Sequence, residues 1–170
     1  VADLRLMAVT IAQGQHADAY YLLEDGTYDL NGSWIPIGFP ANDGQKAVAF
    51  TGHFAAEEGA HIANLGFNAN STLGITSEMS QKIKAQESVG FFGELGAGAS
   101  VTGLYIDTDG NTLEGTDYAG ILAGRAVDAT IKECTVRGVV TGTGYVGGVV
   151  GFAESSRTQA SVRNTLIEDC

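Results

Sequence analysis

Tyr145–Gly151 reads YVGGVVG, and close variants stand upstream: YAGILAG at Tyr118–Gly124 and VGFFG at Val89–Gly93. Each is a short apolar block bracketed by glycines, and the three recur at roughly even intervals. Seven to eleven residues beyond each block comes a second kind of segment: SVTGLYID at Ser100–Asp107, TIKECTVRG at Thr130–Gly138 and SVRNTLIED at Ser161–Asp169. Aligned on their apolar positions, these give the triples Val101/Leu104/Ile106, Ile131/Cys134/Val136 and Val162/Thr165/Ile167, offset by 30 and 31 residues. HIANLGFN adds an earlier copy through Ile62, Leu65 and Phe67, with FTGHF at Phe50–Phe54 in the place of its glycine block. A fixed period of this size marks a solenoid, in which no single repeat can bury its apolar face alone.

The segments are short, β-branched and punctuated by Gly, Asn, Asp and Thr. They do not carry apolar residues at i, i+3, i+4 and i+7 for long enough to form paired helices. The expected fold is therefore all-β, a parallel β-helix (β-solenoid) of about four coils with a short N-terminal capping helix. The pairs Phe91/Phe92, Ile121/Leu122 and Val149/Val150 are expected to form a buried strand, with the flanking glycines making corners. Residues 1–49 read as the cap and residues 50–170 as the repeats, continuous as one domain. In the cap, DLRLMAVTIAQG puts Leu4, Met7, Ala8 and Ile11 on one helical face, with Asp3 placed to cap the start and Gly14 the end. Two short strands follow, around the Asp25-Gly26 and Asn31-Gly32 turns. The period breaks between Ile62 and Val101, where SEMSQKIKAQE suggests a short helix or projecting loop. A shorter surplus, AESSRTQA, precedes Val162.

Bulk properties narrow the function. Glycine makes up 24 of 170 residues, about twice the usual share, beside only 2 prolines, which suits many tight turns. A net charge of −11 disfavours nucleic acid and anionic membrane surfaces as partners. The apolar runs are too short to span a bilayer. Cys134 and Cys170 fall at non-equivalent places in the repeat alignment, so no disulfide is read, and Cys134 is expected to be a buried free thiol. The chain begins at Val1 and ends at a strand without a visible cap, so a piece of a longer protein is expected.

YVGGVVG and YAGILAG, followed by strands of the IKECTVRG type, resemble the GLUG motif of bacterial surface proteins. The upstream order agrees: Trp34, Pro36, Ile37 and Gly38, then Phe50, Gly52 and Phe54, then Ile62, Asn64 and Leu65. AAEEGAH departs from the Asp-Gly-x-Gly-His turn common in such proteins. The resemblance covers nearly the whole chain. It implies a right-handed β-helix, secreted or displayed on a bacterial cell surface, in adhesin-like proteins or beside the catalytic domain of immunoglobulin A-cleaving metallopeptidases. It brings no catalytic residues.

Few motifs point to chemistry. His53, Glu57 and His61 are spaced i, i+4, i+8, which on a helix would share a face for zinc, but the repeat places the two histidines in strands. Asp107, Asp109 and Asn111 alternate like the first ligands of a calcium loop, with Gly110 for the turn and Glu114 to close a looser site. An EF-hand would need Gly and Glu where Thr112 and Tyr118 stand. The sequence offers no acid pair for glycoside chemistry on adjacent coils: Asp107 aligns with Arg137 and Glu168, and Asp117 with Gly144. Tyr20, Tyr21, Tyr28, Trp34, Phe39, Tyr105, Tyr118 and Tyr145 can stack on sugar rings if exposed, and Tyr118 and Tyr145 share a repeat position.

The expected role is a non-catalytic adhesive or structural module whose partner is a host glycan, an extracellular protein or further repeats of the same chain. No cofactor is expected apart from calcium. The excursion over Ser71–Ser88 is the expected contact region, through Ser77, Glu78, Gln81, Lys82 and Lys84. An accessory domain of a secreted metallopeptidase and a carbohydrate-binding or carbohydrate-active β-helix are the alternatives.

Overall fold

Val101, Ile131 and Ile167 stand side by side on neighbouring parallel strands, and this register sets the architecture. In a computed structural model, which describes residues 1–156 and 164–170, the chain winds into a parallel β-solenoid of about four turns preceded by a helix. The helix is α1 (Ala2–Ala12). The first turn holds β1 (Tyr20–Leu23) and β2 (Gly26–Asp29). The second holds β3 (His53–Ala56), β4 (Ala60–Ala63), a second helix α2 (Ser77–Lys84), β5 (Ser88–Val89) and β6 (Phe92–Leu95). The third holds β7 (Ser100–Thr102), β8 (Tyr105–Gly115), β9 (Tyr118–Gly120) and β10 (Ala123–Val127). The fourth holds β11 (Thr130–Lys132), β12 (Thr135–Gly142), β13 (Tyr145–Gly147) and β14 (Val150–Glu154), and β15 (Leu166–Glu168) opens the next. Equivalent strands stack into four sheets, ordered β1-β3-β7-β11-β15, β2-β4-β8-β12, β5-β9-β13 and β6-β10-β14.

The core is a continuous column of inward side chains. Phe54, Val101 and Ile131 line one wall, and Ile62 and Ile106 another, all buried. Aromatic rings fill the second turn. Trp34 stacks on Phe91 at 4.9 Å, and Phe54 meets Phe91 and Phe92 edge-on at 6.1 and 5.6 Å. Such geometries add to the area these rings remove from water.

Three expectations about the repeat are corrected. First, Phe54 pairs with Val101, and Ile62 pairs with Ile106. HIANLGF therefore sits one sheet further round than its triple suggested, because Leu65 and Phe67 are buried beyond the strand and mimic the apolar spacing of Val101–Ile106. His53 pairs with Ser100, so the step between these turns is 47 residues. Second, Ile167 pairs with Ile131 and Glu168 with Lys132, a step of 36 residues. Glu168 is thus not opposite Arg137, although Arg137 does pair with Asp107. Val162 lies outside the described residues. Third, the apolar pairs straddle corners rather than forming one strand, with Phe92 and Val150 opening β6 and β14. Phe91, Ile121–Leu122 and Gly148–Val149 connect β5 to β6, β9 to β10 and β13 to β14.

Leu4, Met7, Ala8 and Ile11 are the buried face of α1, as their spacing predicts. Asp3 does not cap it. The N-cap is Val1, which makes no side-chain cap bond, and Asp3 lies in the first turn, where a negative charge favours the positive end of the helix dipole. Gly14 follows the helix with φ +78°. Arg5 fastens α1 to the first turn by donating to the carbonyls of Leu30 at 3.1 Å and Ser33 at 2.8 Å, with its guanidinium 5.7 Å from the Trp34 ring centroid. Burial of Leu4, Met7 and Ile11 is worth about 1.5–3 kcal/mol each. That total rivals the ~5–15 kcal/mol stability of a whole domain. A chain lacking residues 3–14 is expected to lose its cooperative thermal transition. An unchanged midpoint by circular dichroism would refute the capping role of α1.

Candidate functional site

The glycine brackets decide where a site forms. A Cβ added at Gly120 would come within 3.0 Å of the Ala123 carbonyl, and one at Gly147 equally close to that of Val150. A Cβ at Gly124 would meet the backbone of Ser88, Val89 and Tyr118, and one at Gly151 that of Ala119 and Gly124. Gly93, Gly124 and Gly151 stack in one row, and at Gly124 and Gly151 only glycine lets neighbouring backbones approach this closely.

Two outward rows converge on either side of these glycines. Ser88, Tyr118 and Tyr145 are in register across β5, β9 and β13. Glu94, Arg125 and Phe152 are in register across β6, β10 and β14. Their rings form a cluster: Tyr118–Phe152 centroids lie 5.0 Å apart and stacked, Tyr145–Phe152 5.0 Å, and Tyr118–Tyr145 5.7 Å. Tyr145 is 58% exposed, and Tyr118 and Phe152 are partly exposed, so the tyrosine ladder points to solvent. Arg125 lies 5.8 Å from the centroid of the Tyr118 ring. Its Nη2 donates to Glu154 at 2.8 Å, and its Nη1 lies 3.5 Å from Glu94. The Glu154 hydrogen bond and the Glu94 charge hold the guanidinium pKa above its ordinary value against the opposing effect of burial.

The same rows run into a cleft of about 440 Å³. Ser88, Gly93 and Glu94 line it together with Phe39, Gln45 and Gln86. Two excursions supply its walls. The segment 38–49 leaves the solenoid between Ile37, which bridges to Phe92, and Phe50, which bridges to Leu95. The second excursion carries α2. The Thr76 hydroxyl caps this helix by accepting from the Met79 N–H at 3.1 Å, and Ile83 anchors it in the core. The Ser80 hydroxyl donates to the Phe67 carbonyl.

The expected contact residues are thereby placed. Lys82 bridges Asp43 at 2.9 Å and Glu78 at 3.2 Å, tying one excursion to the other, and these bonds raise its pKa. Lys84 pairs with Glu114 at 3.2 Å. Ser77 and Gln81 are exposed. Glu78 and Lys82 line a neighbouring recess of about 360 Å³ rather than the cleft beside the rings.

Two of the three expected calcium donors, Asp107 and Asn111, are engaged with protein groups. Asp107 meets His61 Nε2 at 2.6 Å and accepts from the Asn64 N–H at 3.4 Å. Asn111 accepts from the Asn68 carboxamide at 3.2 Å and donates to the Thr108 carbonyl at 2.8 Å. Asp109 is exposed, with φ +41°. Among the described residues no group of three or more His, Cys, Asp or Glu side chains is placed to hold a metal ion. His53 and His61 lie in separate strands and serve as stacking partners, His53 for Tyr20 at 4.4 Å and His61 for Tyr105 at 4.2 Å. Glu57 accepts from the Asp25 N–H at 3.0 Å.

Arg125, Phe152, Glu94 and Glu154 were not singled out in the sequence. One signal was available: Arg125 and Phe152 are separated by the same 27 residues as Tyr118 and Tyr145. No helix among the described residues is long and apolar enough to cross a membrane. Comparison of the chain with known protein families, with curated proteins and with solved structures returns no match.

Proposed function

We propose that this protein is a non-catalytic adhesive module, displayed on a bacterial surface as part of a larger secreted protein, and that it holds an extended neutral glycan along its glycine rows. The ring cluster of Tyr118, Tyr145 and Phe152 carries the reading. Sugar rings present apolar C–H faces that pack against aromatic faces, with hydroxyls at their edges. Arg125, Glu94, Ser88, Gln45 and Gln86 supply donors and acceptors for those edges. Successive turns of a solenoid repeat about every 4.8 Å, so a repeating ligand meets a repeating surface. The charge of −11 repels polyanions and favours an uncharged chain. Glu94 and Glu154 are both held by Arg125, an arrangement that stiffens a binding face rather than presenting an acid and a base to a glycosidic bond.

Retardation on native gels containing neutral polysaccharides (glucans, mannans and xylans) tests this. Tyr118→Ala, Tyr145→Ala and Phe152→Ala are each expected to weaken binding about tenfold, or about 1.4 kcal/mol. Tyr145 is exposed enough that its removal spares the fold. Migration unaffected by any of these gels, or retardation indifferent to all three substitutions, would refute the reading.

A further inference from the structure

Cys134 and Cys170 occupy equivalent places on stacked turns, contrary to the sequence alignment. Lys132 pairs with Glu168 as the last match of β11 with β15. Each is followed by a residue with left-handed backbone, Glu133 at φ +54° and Asp169 at φ +55°, and then by the cysteine. The hydrogen bonding repeats as well. Cys134 Sγ donates to the carbonyls of Lys132 at 3.2 Å and Val101 at 3.7 Å. Cys170 Sγ donates to those of Glu168 at 3.2 Å and Ile131 at 3.8 Å. Val101 and Ile131 are themselves a register pair, so the two thiols have the same local geometry one turn apart. In-register neighbours on adjacent strands lie about 4.8 Å apart, inside the Cα separations a disulfide accepts. Both cysteines are free thiols, Cys134 buried and Cys170 exposed.

The geometry points to a disulfide between Cys134 and Cys170, formed by exchange with a small-molecule disulfide, that staples β15 to the turn beneath it. With oxidised glutathione as reagent, the exposed Cys170 thiolate attacks one sulfur and breaks the S–S bond. The first glutathione leaves as a thiolate and takes up the proton that Cys170 lost. Cys134, once deprotonated, attacks the Cys170 sulfur of the mixed disulfide, and the second glutathione leaves and takes up that proton. Two protein thiols are oxidised, and one glutathione disulfide is reduced to two thiols. β15 is held to β11 over only three residue pairs, so the segment beyond it can adjust to bring the sulfurs together. Burial pushes the Cys134 thiol up to about 11, which makes the second step slow and base-dependent.

The test is peptide mapping of the intact chain. Dilute protein is incubated with oxidised glutathione, alkylated and digested with trypsin without reduction. Monomeric protein is expected to yield Glu133–Arg137 joined to Asn164–Cys170. The joined pair should be absent from Cys134→Ser and Cys170→Ser variants, and closure of the mixed disulfide should quicken about tenfold per pH unit between pH 7 and 9. A persistent glutathione adduct on Cys170, or a Cys170–Cys170 dimer with Cys134 alkylated only after unfolding, would overturn the inference.

Discussion

Gly124→Ala is expected to lower the thermal midpoint by about 6–12 °C, whereas Gly148→Ala is expected to shift it by no more than about 2 °C. Both glycines belong to the corner motif that recurs through the sequence. At Gly124 a Cβ would meet backbone atoms of Ser88, Val89 and Tyr118, and backbone cannot rotate aside as a side chain can. Overpacking of this kind costs about 3 kcal/mol, a large share of a domain's stability. At Gly148 nothing lies within 4 Å of the added atom, and no left-handed backbone demands glycine. The register places Gly148 opposite Ile121, one residue before the Leu122–Val149 contact, where the preceding turn already tolerates a large side chain. Scanning calorimetry of the two variants compares them directly. Equal midpoints would mean that the corners are not packed as described.

Trp34→Ala is expected to cost about 3–5 kcal/mol in urea unfolding followed by circular dichroism. Trp34 is 1% exposed, lies parallel to Phe91 at 4.9 Å, and donates from Nε1 to the Phe91 carbonyl at 3.0 Å. Its removal empties the space between the first turn, the Arg5 guanidinium and the second-turn rings. Trp34→Phe keeps much of the volume and loses the hydrogen bond. Because the Phe91 carbonyl also accepts from the Ile37 N–H, the phenylalanine variant is expected to lose less than half as much. A tryptophan-to-alanine cost below about 1 kcal/mol would mean that the aromatic column does not hold the cap and the solenoid together.

The parts of this structure that follow local periodicity were legible in the sequence. Leu4, Met7, Ala8 and Ile11 obey the helical period and form the buried face of α1. Val101 and Ile131, 30 residues apart, are true register neighbours. Register failed where apolar residues sit at corners as well as in strands. Leu65 and Phe67 looked like strand positions and fill a bend, and Ile167 was matched to Val136 although it pairs with Ile131. A β-solenoid buries residues at its corners, so apolar spacing alone cannot tell strand from turn.

The site was half legible. The shared repeat position of Tyr118 and Tyr145 could be read, but their outward direction could not. Strands β9 and β13 have only three residues each, too few for alternation to show which side faces the core. Arg125 and Phe152 join them only because the chain doubles back at Gly120–Gly124, and that fold is set by backbone approach between turns. The walls of the cleft come from two excursions, over residues 38–49 and around α2, that lie outside the repeating strand pattern.

Calorimetric titration with neutral oligosaccharides of increasing length determines whether the rings and the cleft act as one continuous surface for a neutral glycan. Affinity is expected to rise from disaccharide to hexasaccharide as the chain reaches from Tyr145 and Phe152 past Arg125 to Glu94 and Gln86, and to fall back to the disaccharide level in a Gln45→Ala, Gln86→Ala double variant. An affinity independent of length would separate the cleft from the rings, and no binding at any length would contradict the functional assignment itself.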